Sequence, residues 1–135
     1  MDLIKSNARV RDIMSRAVVT LDKDATLADA DRVMKESRVD KIVITDDGIP
    51  TGVLQDWQTI LPPKTNKISS IQVSQVATTH SGAAVQDIRN QLGAVPAVVV
   101  YKSPSDKSIA GVVTAADLLK IQKPSSIPSE TEANE

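Results

Sequence analysis

Two side chains near the C-terminus, Thr114 and Asp117, have the types and the spacing that suit a ligand with adjacent hydroxyl groups. They follow an apolar run at 111–113 that is typical of a buried strand end, and residues 115–120 then have helical habit. A hydroxyl and a carboxylate therefore meet at the first turn of a helix, where backbone N–H groups lack partners. A carboxylate accepts two hydrogen bonds from a diol such as a ribose, and the N–H groups favour an anion.

The same corner has a simpler interpretation, which needs no ligand. Thr114 can cap the helix with its hydroxyl, and Asp117 falls at the capping-box position three residues later. The corner alone leaves both interpretations open.

Composition narrows the class of protein. The chain has 135 residues, of which 41% are apolar, with one Trp, one Tyr and no Phe. That fits one compact domain, or two small halves sharing a core of Val, Ile, Leu and Ala. A net charge of −1 gives no basic field for nucleic acid, and zero cysteines exclude disulfides and thiolate metal sites. Nothing resembles a signal peptide or a membrane span, so we expect a cytoplasmic protein.

The first half alternates strand and helix patterns. Strands are predicted over 18–21, 41–45 and 52–54, an amphipathic helix over 27–35 begins after Thr26, and a hairpin turn falls at 46–48. A short helix over 56–61 ends at two prolines.

The second half repeats the first. Residues 76–78 match 18–20, and Leu92 matches Met34 at the same offset, whereas the strand from Pro96 matches the strand from Ile42. The second helix should therefore be about one turn shorter. We expect an α+β (α/β-type) fold of two β-α-β-β-α repeats. The predicted divisions are a first repeat with its lead-in over 1–61, a linker over 62–70, a second repeat over 71–122, and a disordered tail over 123–135.

These features resemble a tandem pair of cystathionine-β-synthase (CBS) domains, a Bateman module, over residues 8–122. The resemblance rests on the repeat, on Gly-x-x-Thr-x-x-Asp from Gly111 to Asp117, and on the Arg-Asp-Ile-Met segment that starts at Arg11. It implies two sheets packed with pseudo-twofold symmetry and a regulatory module, not an enzyme, with no required cofactor. It also implies a homodimer, and clefts that take AMP, ADP, ATP or S-adenosylmethionine.

The resemblance also implies site residues. Thr114 and Asp117 would hold the ribose, and the base would lie against Ala17, Val18, Val39, Asp40 and Lys41. A second, degenerate cleft has neutral amides where the family has Thr and Asp, and its residues would be Gln55, Gln58, Thr78 and Val95. Segment 93–95 lacks the cation that often contacts phosphate in the family, so Arg38, Lys41 or a partner subunit remain as sources.

Other conspicuous residues have ordinary interpretations. His80 is expected in a loop, Trp57 is expected to anchor packing between halves or subunits or to line the first cleft, and the acidic run is expected to be solvated helix surface: Asp22, Asp24, Asp29 and Asp31. The arginines at 9, 11 and 16 form a solvated face or contact a phosphate or partner.

Two functions remain. The first is an adenosine-nucleotide-sensing regulatory module that signals to an unidentified target protein. The second is a nucleotide-independent dimeric interaction module, favoured by apolar positions expected to be exposed: Trp57, Ile60, Leu118 and Leu119.

Overall fold

The computed structural model describes residues 8–122, which form two three-stranded sheets with the same strand order. In the first repeat, α1 (Val10–Ile13) precedes β1 (Thr20–Asp22), α2 (Leu27–Ser37), β2 (Lys41–Asp46) and β3 (Ile49–Gln55), and a 3₁₀ helix covers Asp56–Thr59. Strand β1 is parallel to β2, and β3 is antiparallel to it. The predicted tail and the first seven residues of the lead-in lie outside the described residues.

The second repeat has the same topology. Strand β4 (Ala77–His80) is parallel to β5 (Val98–Tyr101), and β6 (Ile109–Val113) is antiparallel to β5. Helix α3 (Val85–Arg89) and the 3₁₀ helix Gln91–Gly93 connect β4 to β5. A 3₁₀ helix at Ala115–Leu118 and α4 (Leu119–Gln122) follow β6. The predicted fold class is confirmed.

Local sequence explains the start of α2 and the turn between β2 and β3. The Asp29 N–H donates to Thr26 Oγ1 at 3.1 Å, and the Thr26 N–H donates to Asp29 Oδ2 at 3.2 Å, which is a complete capping box. Hydrogen bonds from the Thr26 backbone and the Arg32 side chain lower the pKa of Asp29. Asp47 and Gly48 both have positive φ, 54° and 81°, as a type I′ hairpin turn requires. Asp29 therefore caps the helix from its surface, where its side chain is 43% exposed, as predicted.

The register of the repeats corrects one prediction. Thr20 pairs with Val43, 23 positions later, and Thr78 pairs with Val99, 21 positions later. The second connection therefore lacks two residues, whereas matching Pro96 to Ile42 predicted about four. The shortening ends α3 after five residues and continues the chain as a 3₁₀ turn.

Alternation along the strands creates two apolar layers. Ile42, Ile44 and Leu54 pack with α2, while their neighbours Val43 and Val53 are buried outside that cluster and project from the opposite face of the sheet. The second sheet repeats the pattern, since Val98, Val100 and Val113 pack with α1 and α3 whereas Val99 and Val112 do not. The opposite faces of both sheets are thus apolar.

The segment before each repeat packs against the other repeat. Val10, Ile13 and Met14 lie in the core of the second repeat, and Ser15 bridges to Val112. Ile68, in the predicted linker, is 1% exposed and lies in the core of the first repeat. The lead-in is therefore not confined to the first repeat, and the linker contributes core as well as connection.

Glycine makes this crossing possible. A Cβ at Gly111 would lie 2.6 Å from Met14 Sδ and 2.7 Å from the Ser15 carbonyl oxygen. At Gly52 it would collide with the Val73 side chain. Both glycines lie in the last strand of their sheet, so each leaves room for the segment that crosses it.

A partly buried ion pair fastens α2 to the residues after β3. Lys64 Nζ lies 2.6 Å from Asp31 Oδ2, and the Thr59 hydroxyl donates to Asp31 Oδ1 at 2.8 Å. Burial raises the pKa of Asp31, but hydrogen bonds from Lys64 and Thr59 outweigh it, and the pKa lies below its usual value. Asp31 is thus structural and only 28% exposed, which corrects its prediction as solvated surface.

The crossing predicts that Ile68→Ala is strongly destabilising. Removing a fully buried isoleucine side chain should lower the free energy of unfolding by about 2–5 kcal/mol. Ile60→Ala is the matched control, because Ile60 is 70% exposed, and should change it by no more than about 0.5 kcal/mol. Urea unfolding measures both, and similar values for the two variants would contradict the packing described.

The Asp31 cluster predicts a specific acid dependence. A carboxylate whose pKa is lower in the folded state stabilises the fold above its unfolded pKa, and this contribution disappears as pH falls through the folded pKa. Asp31→Asn should lower the free energy of unfolding by about 1 kcal/mol at neutral pH. It should also flatten the loss of stability on acidification below about pH 4. Asp24→Asn removes the same charge elsewhere and should keep the wild-type slope of unfolding free energy against pH. Equal slopes in the wild type and both variants would contradict a role of Asp31 in acid stability.

Candidate functional site

A cavity of about 660 Å³ lies between the repeats and is lined by both. All seven residues predicted for the first cleft line it: Ala17, Val18, Val39, Asp40, Lys41, Thr114 and Asp117. Its volume is within the range of small-molecule sites. Val43, Val53 and Val112, from the opposite faces of the two sheets, supply an apolar lining.

The backbone around the cavity is only partly available to a ligand. The Val39 N–H donates to Met34 O at 3.0 Å, and the Asp40 carbonyl accepts the Asp56 N–H at 2.9 Å. Within the described part of the chain, the backbone groups of Ala17 and Val18 make no hydrogen bond to other backbone groups. The wall at 17–18 is therefore better placed than 39–40 to read a polar ligand edge.

At the predicted ribose corner, the carboxylate and not the hydroxyl caps the helix. The Thr114 N–H donates to Asp117 Oδ2 at 2.9 Å, while the Asp117 N–H donates to the Thr114 carbonyl at 2.9 Å. The arrangement is that of the capping box predicted for Thr114 and Asp117, although no cap hydrogen bond to the Thr114 hydroxyl is found among residues 8–122. The hydroxyl stays available at the edge of the cavity.

Lys120 completes this corner and was missed by sequence reasoning. Lys120 Nζ lies 2.9 Å from Asp117 Oδ1 and donates to the Ile13 carbonyl at 2.7 Å. The Asp117 side chain is only 14% exposed. The i,i+3 spacing of an acid and a lysine was a visible signal. The contact with Ile13 was not visible, since it joins residues 107 positions apart.

Two cationic residues of the first repeat, Arg38 and Lys41, also line the cavity. Lys41 Nζ lies 3.4 Å from Asp40 Oδ1, so part of its charge is compensated. Arg38 is exposed at the end of α2 in a left-handed conformation, with φ 56°, and no ion pair of its guanidinium is found within residues 8–122. The segment 93–95 does not line the cavity.

At the corner predicted as a second cleft, both glutamine side chains make hydrogen bonds within the chain. The Gln55 N–H donates to Gln58 Oε1 at 2.8 Å, and Gln58 Nε2 donates to the Gln72 carbonyl at 3.3 Å. Gln55 Nε2 donates to Ser74 Oγ at 3.1 Å. Thr78 lies in β4 and Val95 packs against the core of the second repeat. The inter-repeat cavity touches none of these four predicted residues.

The remaining predictions have mixed outcomes. His80 is the last residue of β4, paired with Tyr101, and does not lie in a loop. Trp57 is 60% exposed and lines a groove of about 400 Å³ with Ile60, and it is not among the residues that line the inter-repeat cavity. Arg9 Nη1 donates to the Gly82 carbonyl at 3.4 Å.

No cluster of three or more acidic or histidine side chains in residues 8–122 could hold a metal ion. Over the same residues, no helix has the length and apolarity to cross a membrane.

Comparison with known proteins adds to this geometry. The family model of the CBS domain matches residues 10–56. This match covers the first repeat, from α1 to the residue after β3. Two curated relatives are the glycine betaine/carnitine/choline transport ATP-binding protein OpuCA and the choline transport ATP-binding protein OpuBA, both of Bacillus subtilis (strain 168). They are 28% and 27% identical over 118 residues, which is 84% of this chain. The chain spans 30% of the length of these relatives.

Solved structures share the fold. A hemolysin-like CBS-domain protein of Oenococcus oeni PSU has a TM-score of 0.75 at 20% identity, covering 87% of this chain and 92% of that one. The CBS domain of a bacterial CNNM/CorC family Mg²⁺ transporter in complex with ATP has a TM-score of 0.71 at 19% identity, with coverages of 87% and 89%. A CBS domain pair in complex with 5′-methylthioadenosine and S-adenosyl-L-methionine has a TM-score of 0.70 at 20% identity, with coverages of 85% and 95%.

Proposed function

We propose that the inter-repeat cavity binds an adenosine derivative and that the chain is a regulatory ligand-binding module. One observation carries this proposal: residues from both repeats join a hydroxyl–carboxylate corner, an apolar wall and two cations around one cavity of about 660 Å³. A ligand that contacts both repeats favours the arrangement of the repeats that it binds more tightly. Such a difference in affinity between two arrangements is how a module of this kind signals.

Thr114 and Asp117 are the proposed ribose contacts. Each carboxylate oxygen has two lone pairs, and in Asp117 each oxygen has one recorded partner, the Thr114 N–H or Lys120. One acceptor position therefore remains on each oxygen for a ligand hydroxyl. The Thr114 hydroxyl adds a donor and an acceptor at the same edge.

The base is proposed to lie against residues 17–18. Val18 is half-buried, and valines from both sheets continue the apolar surface into the cavity. The backbone groups of Ala17 and Val18 supply a donor and acceptor pair for the polar edge of a planar base.

Phosphate groups are proposed to lie near Arg38. Its guanidinium suits bidentate contacts with phosphate, and Lys41 adds a second positive charge at the same cavity. This assigns the cation that segment 93–95 lacks to the first repeat of the same chain.

The comparisons support the ligand class. ATP, 5′-methylthioadenosine and S-adenosylmethionine are among the ligands named for CBS structures of the same fold. The curated relatives are transport ATP-binding proteins, which supports a target protein engaged in membrane transport.

A dimeric interaction module is the second candidate. Trp57, Ile60 and Leu61 are 60%, 70% and 92% exposed after β3, and Leu119 is 52% exposed after β6, whereas Leu118 packs on the second core. This exposed apolar surface favours a homodimer through these segments. Failure of the wild-type chain to bind adenosine, AMP, ATP or S-adenosylmethionine would favour this candidate over the first.

The first prediction concerns Asp117→Asn. The variant keeps an oxygen for the Thr114 N–H but removes the charge, so AMP affinity should fall about 10–100-fold, as expected for lost charge-assisted hydrogen bonds. Calorimetry should give one site per wild-type chain. Gln58→Ala, at the corresponding corner of the first repeat, should lower the AMP affinity much less than Asp117→Asn does. Two sites per chain, or equal losses in both variants, would contradict the proposal.

The second concerns the phosphate. Arg38→Gln should lower the affinity for AMP about tenfold and leave the affinity for adenosine unchanged. The reason is that only AMP carries the phosphate that the guanidinium is proposed to contact. Arg32→Gln is the matched control on α2, where Arg32 pairs with Asp29 at 3.1 Å and Glu36 at 3.7 Å. Equal weakening of adenosine and AMP by Arg38→Gln would exclude the phosphate contact.

A further inference from the structure

The two crossings of the chain are related by the internal symmetry. Ser15 and Val112 exchange two backbone hydrogen bonds, of 2.8 and 2.9 Å. Val53 and Ser74 exchange two as well, of 2.9 and 3.0 Å. Each bridge joins the segment that enters one repeat to the last strand of the other.

Beside each bridge, a side chain holds the residue two positions earlier. Lys120 Nζ donates to the carbonyl of Ile13, which precedes Ser15, and Gln58 Nε2 donates to the carbonyl of Gln72, which precedes Ser74. In the first repeat Gln58 also caps its own helix, since its Oε1 accepts the Gln55 N–H. One amide therefore performs two tasks.

In the second repeat these two tasks are divided. Asp117 accepts the Thr114 N–H, as Gln58 accepts that of Gln55, but a carboxylate has no donor for the Ile13 carbonyl. Lys120 supplies the donor and pairs with the carboxylate at 2.9 Å. The ion pair Asp117–Lys120 thus occupies the place of the Gln58 amide.

We propose that Lys120 is a positioning residue that fastens residues 13–15 to the end of β6, and that Asp117–Lys120 is a charged latch whose neutral counterpart is Gln58. Ser15 and Ala17 line the cavity, so the charged latch fixes the cavity wall that these residues form. Through Asp117 it also ends at the proposed ligand corner. This last consequence for ligand binding rests on the proposed function, whereas the latch itself does not.

The two latches should respond differently to salt. Lys120 is 51% exposed, so dissolved ions screen its attraction to Asp117, while the amide of Gln58 carries no net charge. Raising the ionic strength from about 0.05 to 1 M should loosen only the Ser15–Val112 bridge. A difference in packing alone would not produce this selectivity.

Amide hydrogen exchange measured by NMR on the full chain tests the latch without any ligand. Lys120→Met and Gln58→Met keep an unbranched stem and remove the donor, and Gln58→Met also removes the oxygen that caps its helix. Lys120→Met should speed exchange at Ser15 and Val112 about tenfold and leave Val53 and Ser74 unchanged, and Gln58→Met should do the reverse. Lys120→Arg should restore slow exchange, because it keeps the donor and the charge.

Unchanged exchange at Ser15 and Val112 in Lys120→Met would overturn the proposal. Equal acceleration at both bridges would also overturn it, since that is the signature of general destabilisation, which urea unfolding of the same variant measures separately. A salt effect of equal size at the two bridges would refute the claim that the charges of Asp117 and Lys120 stabilise the Ser15–Val112 bridge.

Titration with AMP then separates the latch from the proposed function. If the wild type binds AMP, Lys120→Met should lower the AMP affinity about three- to tenfold. Lys120→Arg should recover most of that loss in affinity. Unchanged AMP affinity in Lys120→Met would refute the link from the latch to the cavity. If the wild type binds no AMP, the proposed function fails, while the exchange experiment still decides on the latch.

Discussion

The structure depends on two reciprocal backbone bridges, Ser15–Val112 and Val53–Ser74, that tie each entering segment to the other repeat. Without them, β1–β3 and β4–β6 would be two small three-stranded sheets, each lacking part of its core. The bridges bring Ile13 and Met14 into one core and Ile68 into the other. The cavity between the sheets is a consequence, because its walls include Ser15 and Val112 themselves.

Much of this fold could be predicted because its signals are local and repeated. The capping pair at Thr26 and Asp29 and the Asp-Gly turn at Asp47 can be read from neighbouring residues. The seven proposed site residues also converge on one cavity, as the resemblance to CBS pairs implied. Their role in binding a ligand stays a proposal, which the titrations above address.

The rest was not visible because it depends on contacts between distant residues. Nothing in the apolar character of Ile68 tells that it enters the core of the first repeat while lying between two prolines and β4. The Lys120 contact with Ile13 has the same origin. The register of β5 was misjudged because a run of small and β-branched residues from Pro96 to Val100 fits several alignments equally well.

Asp117 combines a structural role with the proposed ligand contact. It caps the helix after β6, pairs with Lys120, and lines the cavity. The equivalent Gln58 keeps the cap and the crossing contact but has no carboxylate. On this account, the pseudosymmetric halves differ in binding capacity while they remain alike in architecture.

An NMR titration of the wild-type chain with AMP tests this asymmetry most directly. We expect saturable shifts of the amide signals of Ala17, Val18 and Thr114, with those of Gln55 and Ser74 unmoved. Shifts centred on Gln55 and Ser74, or none at any amide lining the cavity, would contradict it.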